Sequence, residues 1–490
     1  MTFFLFMFAV SGIFLNHRKA IATVDIPRSV LIESYQYKNW NNGSVKASLK
    51  LSDDSILIYG NNGIWLTNHK HSDFSPFTDG LKSGADNQTV NSIIKTSSGD
   101  VFATTTFDLY KLNEKNSSWQ NLSYLIDTKE RLTSLIAKGD SLILTSRSHV
   151  YISRSPFNTF DKCELKAPVG YEKKASLFRT LWTLHSGELF GITGKIIVDI
   201  LGISLIILCI TGLFLTFCPG IIKRKKKEGK ENSGNISLFK ASLKWHNKIG
   251  YILFFFLLIV CISGMFLRPP LLISIIRSQM KPIPGTTLNS DNPWFDKLRC
   301  LRYDSHSNEW ILYSSEGFFS LESPDAVPER MQKAPPVSVM GVTVFEQSDS
   351  TRWVVGSFSG IYYWDRDSGQ SFDYFNSNPV EVRRGGPPVF NNAISGFSSD
   401  FDNKEVVFDY SRGAITKGKN ETFAVMPDEF GKGQMSLWHI SLEIHVGRIY
   451  SPLLGSLFSN LFVFLWGSFF LIILITGYCI YIKQYRKRKK

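Results

Sequence analysis

The chain is poor in cysteine, with six in 490 residues, no CxxC pair and no zinc-ligand spacing. That excludes a disulfide-scaffold miniprotein and a cysteine-held metal cluster. Acidic residues are also scarce, 42 against 55 Lys and Arg, which leaves a net charge of +13. No complete GxSxG, P-loop, HExxH or dinucleotide-binding signature occurs, so nothing points to soluble hydrolytic, nucleotide or nicotinamide chemistry. Long polar tracts are missing too, and at 43% hydrophobic residues the chain is not disordered. A mean hydropathy of −0.03 is nonetheless too polar for a protein lying wholly in a membrane.

What is present is unevenly spread. Length alone suggests about three units at roughly 150 residues each. Three stretches reach the roughly 20 apolar residues that cross a bilayer: Ile196–Phe217, with the single charge Asp199, Ile249–Leu267 and Leu453–Ile482. Two basic runs, Lys223–Lys227 and Lys483–Lys490, directly follow apolar stretches. That is the positive-inside pattern and not a nucleic-acid footprint, so nucleic acid is not an expected partner and membrane lipid is. Thr2–Leu15 is apolar but short, and its basic residues His17, Arg18 and Lys19 follow it where a signal peptide would have them precede. It is expected to be a first transmembrane helix whose beginning lies upstream of this sequence.

These signals predict transmembrane helix 1 over 1–17, an extracytoplasmic β segment over 18–180, and a His-bearing interfacial segment with helix 2 over 181–217. A basic cytoplasmic loop follows over 218–244 and helix 3 over 245–268. The second β segment is expected over 269–435, a second His-bearing segment with helix 4 over 436–482, and a basic cytoplasmic tail over 483–490. The expected fold class is mixed: a four-helix transmembrane bundle (membrane α) plus extracytoplasmic β segments resembling a propeller, with both termini cytoplasmic.

Two repeats support this. The first and third apolar helices share Ser-Gly followed by an apolar-Phe-Leu run, at Ser11-Gly12 and Ser263-Gly264. The second and fourth share His-x-Gly at His185-Ser-Gly187 and His445-Val-Gly447, and then Thr-Gly at Thr211-Gly212 and Thr476-Gly477. From 185 to 211 is 26 residues and from 445 to 476 is 31, which implies an insertion in the last helix. Separately, an eleven-residue pattern of strand, small turn and aliphatic-aromatic strand begins at Ile56, Val101, Leu142, Trp310 and Trp353. Neighbouring starts within a segment lie 45, 41 and 43 residues apart, the length of a four-stranded propeller blade. A sandwich-like β-domain is the alternative. Cys163 and Cys300, one in each β segment, could bridge the two segments or be unrelated thiols.

Among nine histidines, His69, His71, His149 and His306 fall in the β segments. His17, His185, His246, His439 and His445 lie at membrane boundaries, where ionisable side chains are costly unless they have a use. His185 and His445 are repeat-equivalent. Two neutral imidazoles facing each other could take both axial positions of a haem iron, which would leave none open for oxygen. Gly187 and Gly447 would then let a flat macrocycle approach the backbone, and Arg448 could pair with a propionate. His246 begins helix 3 on the cytoplasmic side, and its repeat-equivalent would fall upstream of Met1. Each of these histidines could equally be a snorkelling or headgroup-facing residue, and Asp199 could simply pair with a polar neighbour.

The Leu184-His185-Ser-Gly187-Glu-Leu-Phe190-Gly191 stretch with its distal Thr-Gly, and the Trp245-His246-Asn-Lys-Ile-Gly250 stretch, resemble the PepSY-associated transmembrane family. That family includes bacterial inner-membrane ferrisiderophore reductases. The resemblance covers the four apolar helices and implies one or two b-type haems carrying electrons outward across the membrane. It implies His185 and His445 as ligands of an outer haem and His246 as a ligand of an inner one. The electron donor would be a cytoplasmic flavin or NAD(P)H reductase, or quinol. The acceptor would be a ferric siderophore, another iron chelate or a periplasmic protein, which would make the chain a ferric-chelate reductase. The sequence departs from the family in lacking a helix-one histidine and in having blade-like segments where a PepSY module would lie. The alternative reading is a non-enzymatic, membrane-anchored β-propeller that binds or senses a ligand, or a transport accessory.

Overall fold

The computed structural model describes residues 1–380, 392–401, 404–417 and 422–486. The end of the basic tail, 487–490, lies outside the described residues, as do 381–391, 402–403 and 418–421 of the second β segment. The chain divides into a helical unit (1–21, 173–289 and 437–490) and a β unit (22–172 and 290–436).

In the β unit the eleven-residue patterns fold as the central hairpins of antiparallel sheets. The first sheet runs Ala47–Ser52, Ser55–Gly60, Gly63–Thr67 and Phe74–Pro76, each strand pairing with the next in sequence. Ile58 lies opposite Trp65, and Asn61-Asn62 form the turn between Gly60 and Gly63. Gly63 takes the left-handed position after the turn at φ +78°, where a side chain would be strained. The same order recurs in sheets starting at Val90, Leu132, Leu298 and Val342, and in a three-stranded sheet starting at Ile394. This last sheet carries none of the five patterns picked out in the sequence. Its central hairpin opens at Val406, 53 residues after Trp353 and so outside the period of the others.

The second strand of each sheet is buried on both faces, as successive side chains point to opposite sides, and each face packs on a neighbouring sheet. The first and second sheets share a core around Tyr59 and Trp119, the second and third around Phe102 and Leu144, and the third and fourth around Ile143 and Trp310. The fourth and fifth meet at Phe318 and Trp364, and the fifth and sixth at Val354 and Phe397. The sixth returns to the first through Phe408, Ile56 and the fully buried Trp40. Asp25–Pro27 pairs antiparallel with Gln434–Ser436 and so ties the beginning of the unit to its end. Cys163 and Cys300 are free thiols and make no bridge. Cys163 is on the outermost strand of the third sheet beside Asp325, while Cys300 is on the first strand of the fourth beside Ser134.

The helices, in chain order, are α1 (Thr2–Asn16), α2 (Leu177–Ser186), α3 (Gly191–Lys227), α4 (Ser233–Ile252), α5 (Phe254–Met265), α6 (Leu271–Ile275), α7 (Asp428–Gly431), α8 (Leu437–His445) and α9 (Ser451–Arg486). All but α7 belong to the helical unit. Among the described residues two stretches, Glu188–Lys227 containing α3 and Arg448–Gln484 containing most of α9, are long and apolar enough to cross a membrane. Two expectations need correction. The stretch 218–244 is not a loop, because α3 continues through Pro219 to Lys227 and α4 resumes at Ser233. Lys and Arg are good helix formers and are favoured in a last turn, where they meet the negative end of the helix dipole. Nor is helix 3 one straight helix: α4 and α5 meet at a 64° bend. The ends of both β segments also belong to the helical unit, where Ala175–Ser176 pairs with Gln279–Met280.

Trp40 is fully buried against Phe74, Phe423 and Phe430, and its Nε1 donates to the Ala424 carbonyl at 2.8 Å. Trp40→Ala should cost about 3–5 kcal/mol, read from the denaturant midpoint of the β unit in the full chain. Glu346, on the first strand of the fifth sheet, has its carboxyl pushed by burial from 4.5 up to about 7, with Arg302 opposing and Asp400 adding to the shift. A raised carboxyl in the folded state favours folding below pH 4.5 and loses that contribution as pH rises through 7. Glu346→Gln should therefore flatten the pH dependence of the unfolding midpoint between those values, and an unchanged slope would refute it.

Candidate functional site

The helical unit brings His185 and His445 together. Each lies in the last turn of a short helix, α2 or α8, and each is followed two residues later by a glycine in the left-handed conformation, Gly187 at φ +80° or Gly447 at φ +78°. The two ring centroids are 5.9 Å apart, with the planes inclined at 60°.

Both rings are held in one tautomer. His185 Nδ1 lies 2.9 Å from the Val260 carbonyl, which can only accept, so Nδ1 carries the proton. His445 Nδ1 lies 3.0 Å from Ser11 Oγ, whose own proton is directed to the Met7 carbonyl at 2.5 Å. The hydroxyl oxygen therefore accepts from Nδ1–H. His246, on α4, repeats the arrangement: Nδ1 is 2.8 Å from Thr211 Oγ1, which donates to the Ile207 carbonyl at 2.7 Å. In all three rings Nε2 keeps its lone pair, as metal-ligating histidines require.

Glycine makes these approaches possible. A Cβ on Gly264 would sit 2.7 Å from His185 Cε1, on Gly12 3.4 Å from His445 Cε1, and on Gly212 3.3 Å from His246 Cε1. The Ser-Gly and Thr-Gly pairs are thus the seats of the three imidazoles. The fourth pair, Thr476-Gly477, has nothing within 4 Å of the corresponding position. Sequence reading found these dipeptides as repeat markers and missed their use, although their presence in every apolar helix was the available signal.

Gly187 and Gly447 are closely packed by the protein itself. A Cβ on Gly187 would meet the Gly194 carbonyl at 2.2 Å, and one on Gly447 the Phe462 ring at 2.4 Å, so both glycines serve close packing at a helix cap. Arg448 forks onto Glu443, with Nε 2.9 Å from Oε2 and Nη2 on Oε1. His17 pairs with Asp199 at 2.9 Å, and Asn16 Nδ2 reaches the same carboxylate at 3.2 Å. His439 packs edge-on against Trp438.

The residues present fit a haem iron at the His185–His445 pair. With metal–imidazole bonds of about 2 Å, two rings sharing one metal through Nε2 have centroids about 6 Å apart. His246 has no second imidazole recorded beside it among the described residues, since the remaining histidines occupy the other places given above or lie in the β unit.

Residues 1–218 match the family model of the PepSY-associated TM region. This part of the chain is similar to a PepSY-associated TM region. The resemblance read from the histidine and Thr-Gly motifs is therefore borne out, and the match takes in Ser11-Gly12, His185 and Thr211-Gly212. The PepSY-associated TM match and the two long apolar helices together make this a membrane protein. No curated relative matches the chain. Among solved structures it is similar to a structural genomics protein of unknown function from Bacteroides thetaiotaomicron, at 8% identity and TM-score 0.36, over 80% of this chain and 71% of that one. It is also similar to the WD40 beta propeller domain of Doa1, at 10% identity and TM-score 0.33, over 77% and 94%. Likenesses this distant carry no functional argument.

The two kinds of seat predict opposite responses to one added methyl. Gly264→Ala should destabilise the helical unit by about 1–3 kcal/mol, because the methyl overlaps the His185 ring. Gly477→Ala should be neutral or stabilising by up to about 1 kcal/mol. Thermal unfolding in detergent distinguishes them, and equal midpoints would refute the seat.

Proposed function

We propose that this is a multi-pass membrane electron-transfer protein that holds a b-type haem between His185 and His445 and reduces an acceptor on the outer face. The observation that carries the reading is the facing pair of imidazoles, each fixed through Nδ1 with Nε2 left as a ligand. When bound, haem would supply one-electron redox chemistry. The chain's own residues hold the ligand geometry: Val260 and Ser11 fix the rings, and Gly264 and Gly12 give them room. With His185 and His445 both holding the group, the chain would offer it for electron relay and not for binding of the acceptor at the metal. A ferric siderophore or other iron chelate is the acceptor class the family resemblance favours, which makes the proposed activity that of a ferric-chelate reductase. His246 is the proposed ligand of a second, inner haem. Electrons would come from a separate cytoplasmic flavin or NAD(P)H reductase, or from quinol.

Topology follows from charge. Lys223–Lys227 at the end of α3 and the basic residues after Ile482 are proposed to face the cytoplasm of a bacterial inner membrane. The α4–α5 pair would be a third, bent span, and α1 would complete a four-helix bundle. The β unit is proposed to be a six-bladed propeller on the periplasmic side. Support comes from six sheets with the same strand order, each sharing a core with the next and the sixth with the first.

Purified in detergent after expression with haem supplied, the protein should give a reduced-minus-oxidised b-type spectrum. His185→Ala or His445→Ala should remove the outer haem's share of it and leave the β unit folded by circular dichroism. A folded, colourless wild-type protein would favour the membrane-anchored binding or sensing module instead.

A further inference from the structure

We propose that Arg268, and not Arg448, is the cation that binds a carboxylate of the macrocycle held by His185 and His445; this rests on the haem reading above. Arg448 is already committed, since its fork is closed on both oxygens of Glu443. Arg268 is not. Its Nε is buried and has no hydrogen-bond partner among the described residues. Its Nη2 reaches only Asn460 Oδ1, at 3.5 Å, the outer limit of a hydrogen bond. A buried guanidinium donor left unmade is costly, and an incoming carboxylate relieves that cost with two parallel charge-assisted bonds.

Its position fits the task. Arg268 follows Gly264, the seat of His185, by four residues, just past the end of α5. The Glu443–Arg448 pair, which flanks His445, lies within electrostatic reach of Arg268. Arg268 is therefore close in sequence to the seat of His185 and within electrostatic reach of the pair that flanks His445. The duplication supplies an internal comparison. Aligning Ser263 with Ser11 places Arg268 opposite Asn16. Asn16 Nδ2 has two acceptors within the protein, the Ser186 carbonyl and Asp199 Oδ1, both at 3.2 Å. At this aligned position the first copy's amide donor is thus satisfied within the protein, while the second copy's Arg268 Nε is not.

The test uses the full, haem-loaded chain in detergent and compares wild type with Arg268→Gln and Arg268→Lys. The spectrum, the midpoint potential and the rate of haem transfer to apomyoglobin are measured. Arg268→Gln should keep the bis-imidazole spectrum, release haem roughly tenfold or more faster, and show a lower potential, because a positive charge that favours the reduced state is gone. Arg268→Lys should recover the potential in part. Unchanged release and potential in Arg268→Gln would overturn the proposal, as would the same losses arising from Arg448→Gln alone. So would an Arg268→Gln phenotype limited to lost stabilisation by phosphatidylglycerol vesicles, which would assign the cation to a lipid phosphate. A wild type without any haem spectrum would sink the haem reading itself, a separable result.

Discussion

An imidazole among apolar helices has to place its Nδ1 proton, and a helix has few free acceptors to offer, because its carbonyls are engaged four residues on. The helical unit meets this constraint the same way each time. A glycine removes the Cβ that would keep the ring away, and the hydroxyl residue before it spends its own proton on the carbonyl four residues back: Ser11 on Met7, Thr211 on Ile207, Ser263 on Ile259. The approaching ring then finds either the hydroxyl oxygen, as His445 and His246 do, or the backbone carbonyl exposed above the glycine, as His185 does with Val260. Either route fixes the same tautomer. Everything proposed about the site depends on that outcome, since a ring free to flip would not present Nε2 reliably.

The duplication tolerates change only where this arrangement is not disturbed. After Gly187 the chain closes back at Gly194, whose added Cβ would lie 2.1 Å from the Gly187 carbonyl. After Gly447 the corresponding closure is made by Ser459, whose hydroxyl donates to the Gly447 carbonyl at 2.9 Å. The first step spans seven residues and the second twelve, so the five extra residues fall between them. They coincide with the non-helical Gly455, at φ +80°, inside α9. The insertion is absorbed as a break downstream of the cap, and both imidazoles keep the same relation to their left-handed glycines.

Much of the fold was legible because its signals are local. The five hairpins starting at Ile56, Val101, Leu142, Trp310 and Trp353 each announce two strands and a turn within eleven residues. The sixth escaped because the chain between Trp353 and Val406 is longer, and a period is no guide once its spacing breaks. The stretch 218–244 was misread because charge was taken to mean loop, when a Lys-rich segment is a good helix if it continues one. The imidazole seats were seen only as repeated Ser-Gly and Thr-Gly pairs. Sequence supplies their period but not their neighbours, and it is the helix next door, α5 for His185 or α1 for His445, that turns a small-residue pair into a binding feature. Arg448 was singled out for the same reason: its sequence distance from His445 is visible, whereas its fork onto Glu443 is not.

Repeats of this kind place like surfaces opposite each other, so what distinguishes the two halves carries the specificity. Where one copy has Asn16, neutral and with its amide donor bonded twice, the other has Arg268; where one has Glu188, 3.0 Å from Lys195, the other has Arg448 on Glu443. The ligand seats are matched and the charges beside them are not. A symmetric, planar metal centre needs the matched seats, since both axial bonds are alike. A group with anionic substituents on one edge needs the mismatch, because only one side then has to supply a cation. The described helical unit has matched imidazole seats and, beside one of them only, an arginine whose buried Nε has no partner among the described residues.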